Sequence, residues 1–318
     1  MALWIAMIVL AATTSCSIND DVPEALVALS DGHVSDGRTG TALTDEGLMT
    51  RLLPADFILL GEHHDNAAHH RHQAWIVEQL AARGRRLVVA FEMIDADQTP
   101  RLEAFMSKSS RDAAQLGKAL DWDRSGWPAW SHYAPIAEAA LRRGFAIVAA
   151  NLPPAQARAV ARDGIAALPP PLVRDLGLTT IANDPAAAAI LASHAAVMQA
   201  AHCGQLPAAR LSTFAQAQYA RDAHMAYRMV AAWRDTTARA DPHPLVVLIA
   251  GAEHARTDRG VPHHLARLAP GSRVVALAFV EEESRVVREA QPAYDLVWRT
   301  APVTRDDPCA AMSRGSPG

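Results

Sequence analysis

Phe57-Ile58-Leu59-Leu60-Gly61-Glu62-His63-His64-Asp65-Asn66 decides how this chain folds, because four apolar residues run unbroken into a glycine and then into five polar side chains. A short apolar run without polar alternation reads as a strand covered on both faces, the habit of parallel sheets packed between helices. The same arrangement recurs along the chain. Residues 87–91 run into Glu92-Met93, residues 146–150 into Asn151, and residues 245–250 into Gly251-Ala252-Glu253-His254, with a fifth run at 274–279. Between these runs, residues 69–83, 128–143 and 211–233 have helical spacing. Strand and helix alternate, which predicts an α/β fold with a central, mostly parallel sheet flanked by helices.

The segment 154–240 contains no strand pattern and much Ala, and so is expected as a helical insertion between the third and fourth main strands. Pro169-Pro170-Pro171 cannot continue a helix and predicts a hinge inside it. One domain over 44–300 is expected, preceded by an extension at 17–43 and followed by a tail at 301–318. The polar stretches 19–38 and 306–318 read as loosely held ends.

The chain has 318 residues, half of them hydrophobic, enough for one large core. A net charge of -4 with scattered Arg gives no basic field and argues against nucleic acid as a partner. Residues 2–12 are apolar, too short a run to cross a bilayer but the right length for a signal-peptide core. Thr13-Thr14-Ser15-Cys16 follows and resembles a lipoprotein-processing box, so that Cys16 would carry the lipid and 1–16 would be the signal. A plain cleaved signal and a buried N-terminal helix are the alternatives. With Cys16 lipidated, Cys203 and Cys309 are left as a pair in a compartment where disulfides persist. They form either a bridge or two thiols.

Each unusual polar residue stands just past the carboxyl end of an expected strand, where open parallel sheets bind ligands. Glu62, His64, Glu92 and His254 thus converge from separate loops on one crevice, with Asn151 beside them. Imidazole and carboxylate together suit a divalent transition metal, or else an acid/base pair. Two tetrapeptides share the form Gly-x-x-His, at Gly61 to His64 and Gly251 to His254; glycine there allows close backbone approach or positive φ. His69, His70 and His72 open a helix, and either His69 with Gln73 or His70 with the strand-end group can face the crevice, because residues three and four apart share a helical face. Asp222 lies within a long helical pattern, where a charge is solvated, paired with Arg, or functional. Trp122, Trp127, Trp130 and Tyr133 crowd into twelve residues of a chain with 5% aromatic content. They read as a wall for a flat ligand, or as a local core beneath a loop.

With these blocks assembled, the sequence from Asp56 to Phe279 resembles the ChaN-like haem-binding uptake family of the Tiki superfamily, itself distantly similar to the erythromycin esterases. The resemblance rests on residues 60–66 with His69, His70 and Gln73, and on Phe91-Glu92-Met93 with Asp95 and Gln98. It continues through Trp122, Trp130, Tyr133, Pro135 and Asn151-Leu152-Pro153. Gln218, Arg221-Asp222, Met225-Ala226, residues 251–254 and Gly260-Val261-Pro262 complete it. It implies an exported lipoprotein, in the periplasm or at the outer membrane, that binds haem for iron uptake and whose subunits can pair around it. Haem iron is held by Tyr or His in such proteins, which makes Tyr133 the foremost ligand candidate, with Trp130, Asn151 and His70 lining the cofactor. The wider superfamily implies an alternative for the same Glu62, His64, Glu92 and His254: a metal-dependent hydrolase, with Glu62 or Glu92 as general base.

Overall fold

The structure is a computed structural model that describes residues 32–238, 244–282, 293–307 and 309. Eight strands form one sheet: β1 (His33–Asp36), β2 (Ala42–Leu43), β3 (Phe57–Glu62), β4 (Leu87–Asp95), β5 (Ala146–Asn151), β6 (Leu245–Gly251), β7 (Val274–Glu281) and β8 (Leu296–Thr300). Their order across the sheet is β2-β1-β8-β7-β3-β6-β4-β5. Every pair from β8 to β5 is parallel, and the antiparallel β1 and β2 cap one edge. The fold is therefore the expected mostly parallel α/β sheet.

Helices cover both faces. They are α1 (Asp45–Leu52), α2 (Ala67–Ala82), α3 (Thr99–Met106), α4 (Ala113–Ala119), α5 (Trp130–Arg142), α6 (Pro154–Asp163), α7 (Pro170–Asp175), α8 (Pro185–Ala201), α9 (Ala208–Ala238), α10 (Ala252–Ala255) and α11 (Val261–Leu268). Successive strand residues point to opposite faces. Ile58, Leu60, Val247 and Ile249 meet Leu48, Ile76, Leu80 and Ile136 of α1, α2 and α5. Phe57, Leu59, Val246 and Leu248 meet Met225, Met229 and Leu265 of α9 and α11. Two apolar faces explain why the strands carry no polar alternation.

The insertion comprises α6 to α9, with its own small core of Leu152, Val160, Leu176, Ile190 and Tyr219. The three prolines do not make the expected hinge. Pro169 caps α7, and Pro170 and Pro171 fill its first turn, where missing N–H groups cost nothing and a fixed φ helps. Residues 33–43, expected within a loose extension, supply β1 and β2, and β1 pairs residue by residue with β8. Among the described residues no helix is long and apolar enough to cross a membrane.

Candidate functional site

β3, β6 and β4 are neighbours, and their carboxyl ends deliver Glu62, Gly251 with His254, and Glu92 to one crevice. The pairing of β4 with β5 is interrupted between Phe91 and Asp95. Such an irregularity re-aims a side chain, and here it falls at Glu92. Both strand-end glycines serve close approach rather than positive φ. A Cβ on Gly61 would lie 2.9 Å from the Ala252 Cα, and one on Gly251 would lie 2.9 Å from His64 Nε2.

Two carboxylates organise the site. Glu62, fully buried, has Oε1 2.9 Å from His64 Nδ1 and accepts from the Tyr133 hydroxyl at 3.1 Å; its Oε2 lies 2.9 Å from His70 Nδ1. Burial raises the Glu62 pKa, but hydrogen bonds from His64 and His70 outweigh it and hold the carboxylate below its usual range. Glu92 Oε1 faces Arg221 Nη2 at 2.6 Å and His254 Nε2 at 3.1 Å, and Oε2 accepts the Gly251 amide at 2.7 Å. Burial opposes its ionisation, and the charges of His254 and Arg221 overcome burial, leaving the pKa well below the ordinary value.

His254 is 4% exposed and sits between two acids, with Nδ1 2.5 Å from Asp222 Oδ1. Burial disfavours the imidazolium, yet Glu92 and Asp222 raise its pKa to about 9. His64 follows the same logic more weakly: burial lowers, Glu62 and Glu92 raise, and the net shift is upward. Its ring is one-third exposed and meets Trp127 edge-on, centroids 4.8 Å apart. At neutral pH the crevice therefore pairs the cationic ring of His254 with ionised carboxylates, an arrangement able to move protons at a bound ligand.

The residues expected from sequence divide clearly. Glu62, His64, Glu92, His254, His70 and Tyr133 come together as described. Asn151 joins at one remove, accepting from Arg221 Nε at 3.1 Å and donating to Asp95 at 3.0 Å. Burial, with Asp97 adding to it, raises the Asp95 pKa to about 6. Trp130 turns away from the crevice; its indole packs on Gly117 and donates to the Ala113 carbonyl at 2.8 Å. Together with Trp122 and Lys118 it lines an open groove of about 420 Å³. Trp122 and Tyr133 are core residues, so the aromatic group presents only Trp127 and Trp130 to a ligand.

His69 and His72 are buried as well. His69 takes the His63 amide on Nδ1 and reaches Thr300 through Nε2, and burial, then His63, lowers its pKa to about 3. His72 stacks on Trp298. Cys203 and Cys309 are joined in a disulfide, their Cα atoms 5.6 Å apart. Cys16 lies outside the described residues.

The structure brings Arg221, Asp222 and Gln218 of α9, which share in the family resemblance, into the site, and settles Asp222 as paired with His254. Gln218 Nε2 lies 3.2 Å from His254 Nδ1, and His194 of α8 lies 3.6 Å from the second oxygen of Asp222. Among the described residues no three His, Cys, Asp or Glu side chains are disposed to hold a metal ion.

A family model described as haem-binding uptake, Tiki superfamily, ChaN matches residues 48–265. No curated protein matches the chain. Among solved structures, ChaN of Campylobacter jejuni, described as binding haem cofacially, is 23% identical with a TM-score of 0.66, covering 85% of this chain and 96% of that one. A Bacillus cereus protein is 11% identical with a TM-score of 0.42, covering 85% and 95%. A mutant of the erythromycin esterase EreC in its open conformation is 16% identical with a TM-score of 0.38, covering 88% and 86%. The last two are too distant to argue from. The family match spans well over half of the chain, and this chain belongs to the ChaN haem-binding uptake family of the Tiki superfamily.

Proposed function

We propose that this protein binds haem for iron uptake at the cell envelope, exported and anchored through a lipid on Cys16. The family match over residues 48–265 carries the reading, and the cofacial haem of the Campylobacter jejuni protein supports it. A haem needs an accessible donor and flat apolar surface. Tyr133 fits poorly as that donor, because its hydroxyl is buried and donates to Glu62; burial, with the charge of Glu62, raises its pKa and keeps the phenol protonated. His132 fits better. It is partly exposed and centred 5.3 Å from His70; burial, then His70, lowers its pKa, which favours the neutral imidazole that iron ligation would require. Its Nδ1 is buried without a hydrogen-bond partner, which leaves Nε2 as the ligating atom. His132 would hold the iron, with Trp127 as neighbouring aromatic surface, while His70 and Asn151 keep the crevice in shape. Bound haem supplies an iron centre with an intense Soret band, which makes the test direct. Titrating haem into the purified protein should give stoichiometric uptake at micromolar concentration; His132→Ala should weaken it at least about tenfold, and Tyr133→Phe should not. No uptake by the wild type would end the proposal.

The envelope part is tested separately. Labelled palmitate should be incorporated in cells producing the full chain and lost with Cys16→Ser. Pairing of two chains around haem would appear as a haem-dependent shift to dimer mass in size-exclusion chromatography.

A second reading, hydrolysis, is favoured by one observation, the buried Asp222-His254-Glu92 chain beside the exposed ring of His64. The paired carboxylates and imidazoles of the crevice suit acid–base catalysis. His64 and Glu92 border the crevice where a water and an ester or amide would meet. Ester hydrolysis that survives His64→Ala unchanged would remove this reading.

A further inference from the structure

β8 runs parallel to β3, so the chain leaves Thr300 at the same sheet edge that presents Glu62 and Gly251. The tail then crosses the β3–α2 loop. Arg305 binds Asp65, the residue after His64, through two bonds of 2.6 Å. The same guanidinium holds Glu281 at the end of β7 at 2.7 and 2.8 Å. Glu281 in turn accepts from Asn66, whose side chain caps α2, at 2.7 Å. Four residues later Cys309 is bonded to Cys203 in the turn between α8 and α9. Four residues reach at most about 14 Å, so the turn is held close to the Asp65 loop. α8 also sets His194 Nε2 3.6 Å from Asp222 Oδ2, beside the buried His254.

We propose that residues 301–307, together with Cys309, form a disulfide-closed strap, joining the His63–Asn66 side of the crevice to the helical insertion, and that thiol–disulfide exchange opens it. A dithiol reductant supplies the two electrons and two protons. Its thiolate attacks one sulfur, its second thiol displaces the mixed disulfide, and the dithiol becomes a disulfide while Cys203 and Cys309 become thiols. Release removes the tether that holds Arg305 on Asp65 and frees α8 to move away from the β3–α2 loop. The inference stands on this geometry alone and does not depend on haem binding.

The test is hydrogen exchange by mass spectrometry on the full protein, oxidised and dithiothreitol-reduced, with the Cys203→Ser/Cys309→Ser variant and Arg305→Ala alongside. Reduction should speed exchange in residues 63–69 and 301–307 by about tenfold or more while β3 and β6 stay protected. The double-serine variant should show the fast rate with or without reductant, and Arg305→Ala should loosen 63–69 in the oxidised protein. Diethyl pyrocarbonate should modify His64 faster after reduction, with exposed His33 as internal control. Unchanged exchange in 63–69 on reduction would overturn the strap, and so would loss of protection throughout β3 and β6, which would mean a structural brace rather than a local gate.

Discussion

Asp222 Oδ1 lies 2.5 Å from His254 Nδ1 at a position where neither side chain is more than 5% exposed. Taking one partner from a buried pair strands the other charge, at a cost of about 3–5 kcal/mol. Asp222→Ala should therefore lower stability by about that amount in urea unfolding, whereas Asp222→Asn should cost less because the amide still fills the space. His254 titrated by NMR in the Asn variant should protonate at lower pH than in the wild type. An unchanged His254 titration would show that Glu92 alone holds the proton.

The pH dependence of stability follows from the same ring. The folded His254 pKa, about 9, is above its unfolded value of about 6.5. Its contribution is fully present below about pH 6.5 and is lost as pH rises through about 9. Thermal unfolding from pH 6 to pH 10 should show a fall in Tm across that window, and the fall should shrink in His254→Gln. Glu62 and Glu92 act at the other end: their folded pKa values are lowered, so their contribution is present above about pH 4.5 and lost in acid.

Tyr133 is one of three groups gathered on Glu62, and its position separates two roles that look alike in sequence. Tyr133→Phe keeps the packing against Trp122 and removes only the hydroxyl. Loss of one bond to a charged acceptor should cost about 1.5–3 kcal/mol. Urea unfolding should show that loss while the Soret titration stays at the wild-type midpoint. A haem affinity that collapses in this variant would return the phenol to the iron.

Most of the sheet was legible because β3 to β7 are buried on both faces, and such strands announce themselves as unbroken apolar runs ending in polar residues. β1 was hidden: His33–Asp36 is polar at both ends and is a strand only because β8 lies beside it. Glu62, His64, Glu92 and His254 could be read together since each follows an apolar run. Asp222 was harder, because a charge inside a helical pattern is ordinarily solvated. Its signal lay in periodicity: Ala215, Tyr219, Asp222, Ala226 and Met229 fall on one helical stripe, and all are buried. A lone acid on an apolar stripe needs a partner. The aromatic cluster was illegible for the converse reason, since its spacing gives no sign that Trp122 and Tyr133 face inward while Trp127 and Trp130 do not.

Gly251 supplies a last test, because the space it leaves is filled by a functional side chain. A Cβ there would meet His64 Nε2 at 2.9 Å and His64 Cε1 at 3.2 Å, whereas a Cβ on Gly61 would meet the Ala252 Cα at 2.9 Å and the Ala255 Cβ at 2.8 Å. The His64 ring is one-third exposed and can swing outward; the backbone of α10 cannot yield so readily. Gly61→Ala should therefore cost stability, about 1–3 kcal/mol by overpacking. Gly251→Ala should cost less in unfolding experiments and instead move His64 away from Glu92, lowering the His64 pKa because the nearby negative charge that favours its proton is weakened. NMR titration of His64 in both variants checks this, and a Gly251→Ala protein with an unshifted His64 would show that the ring does not depend on the missing Cβ.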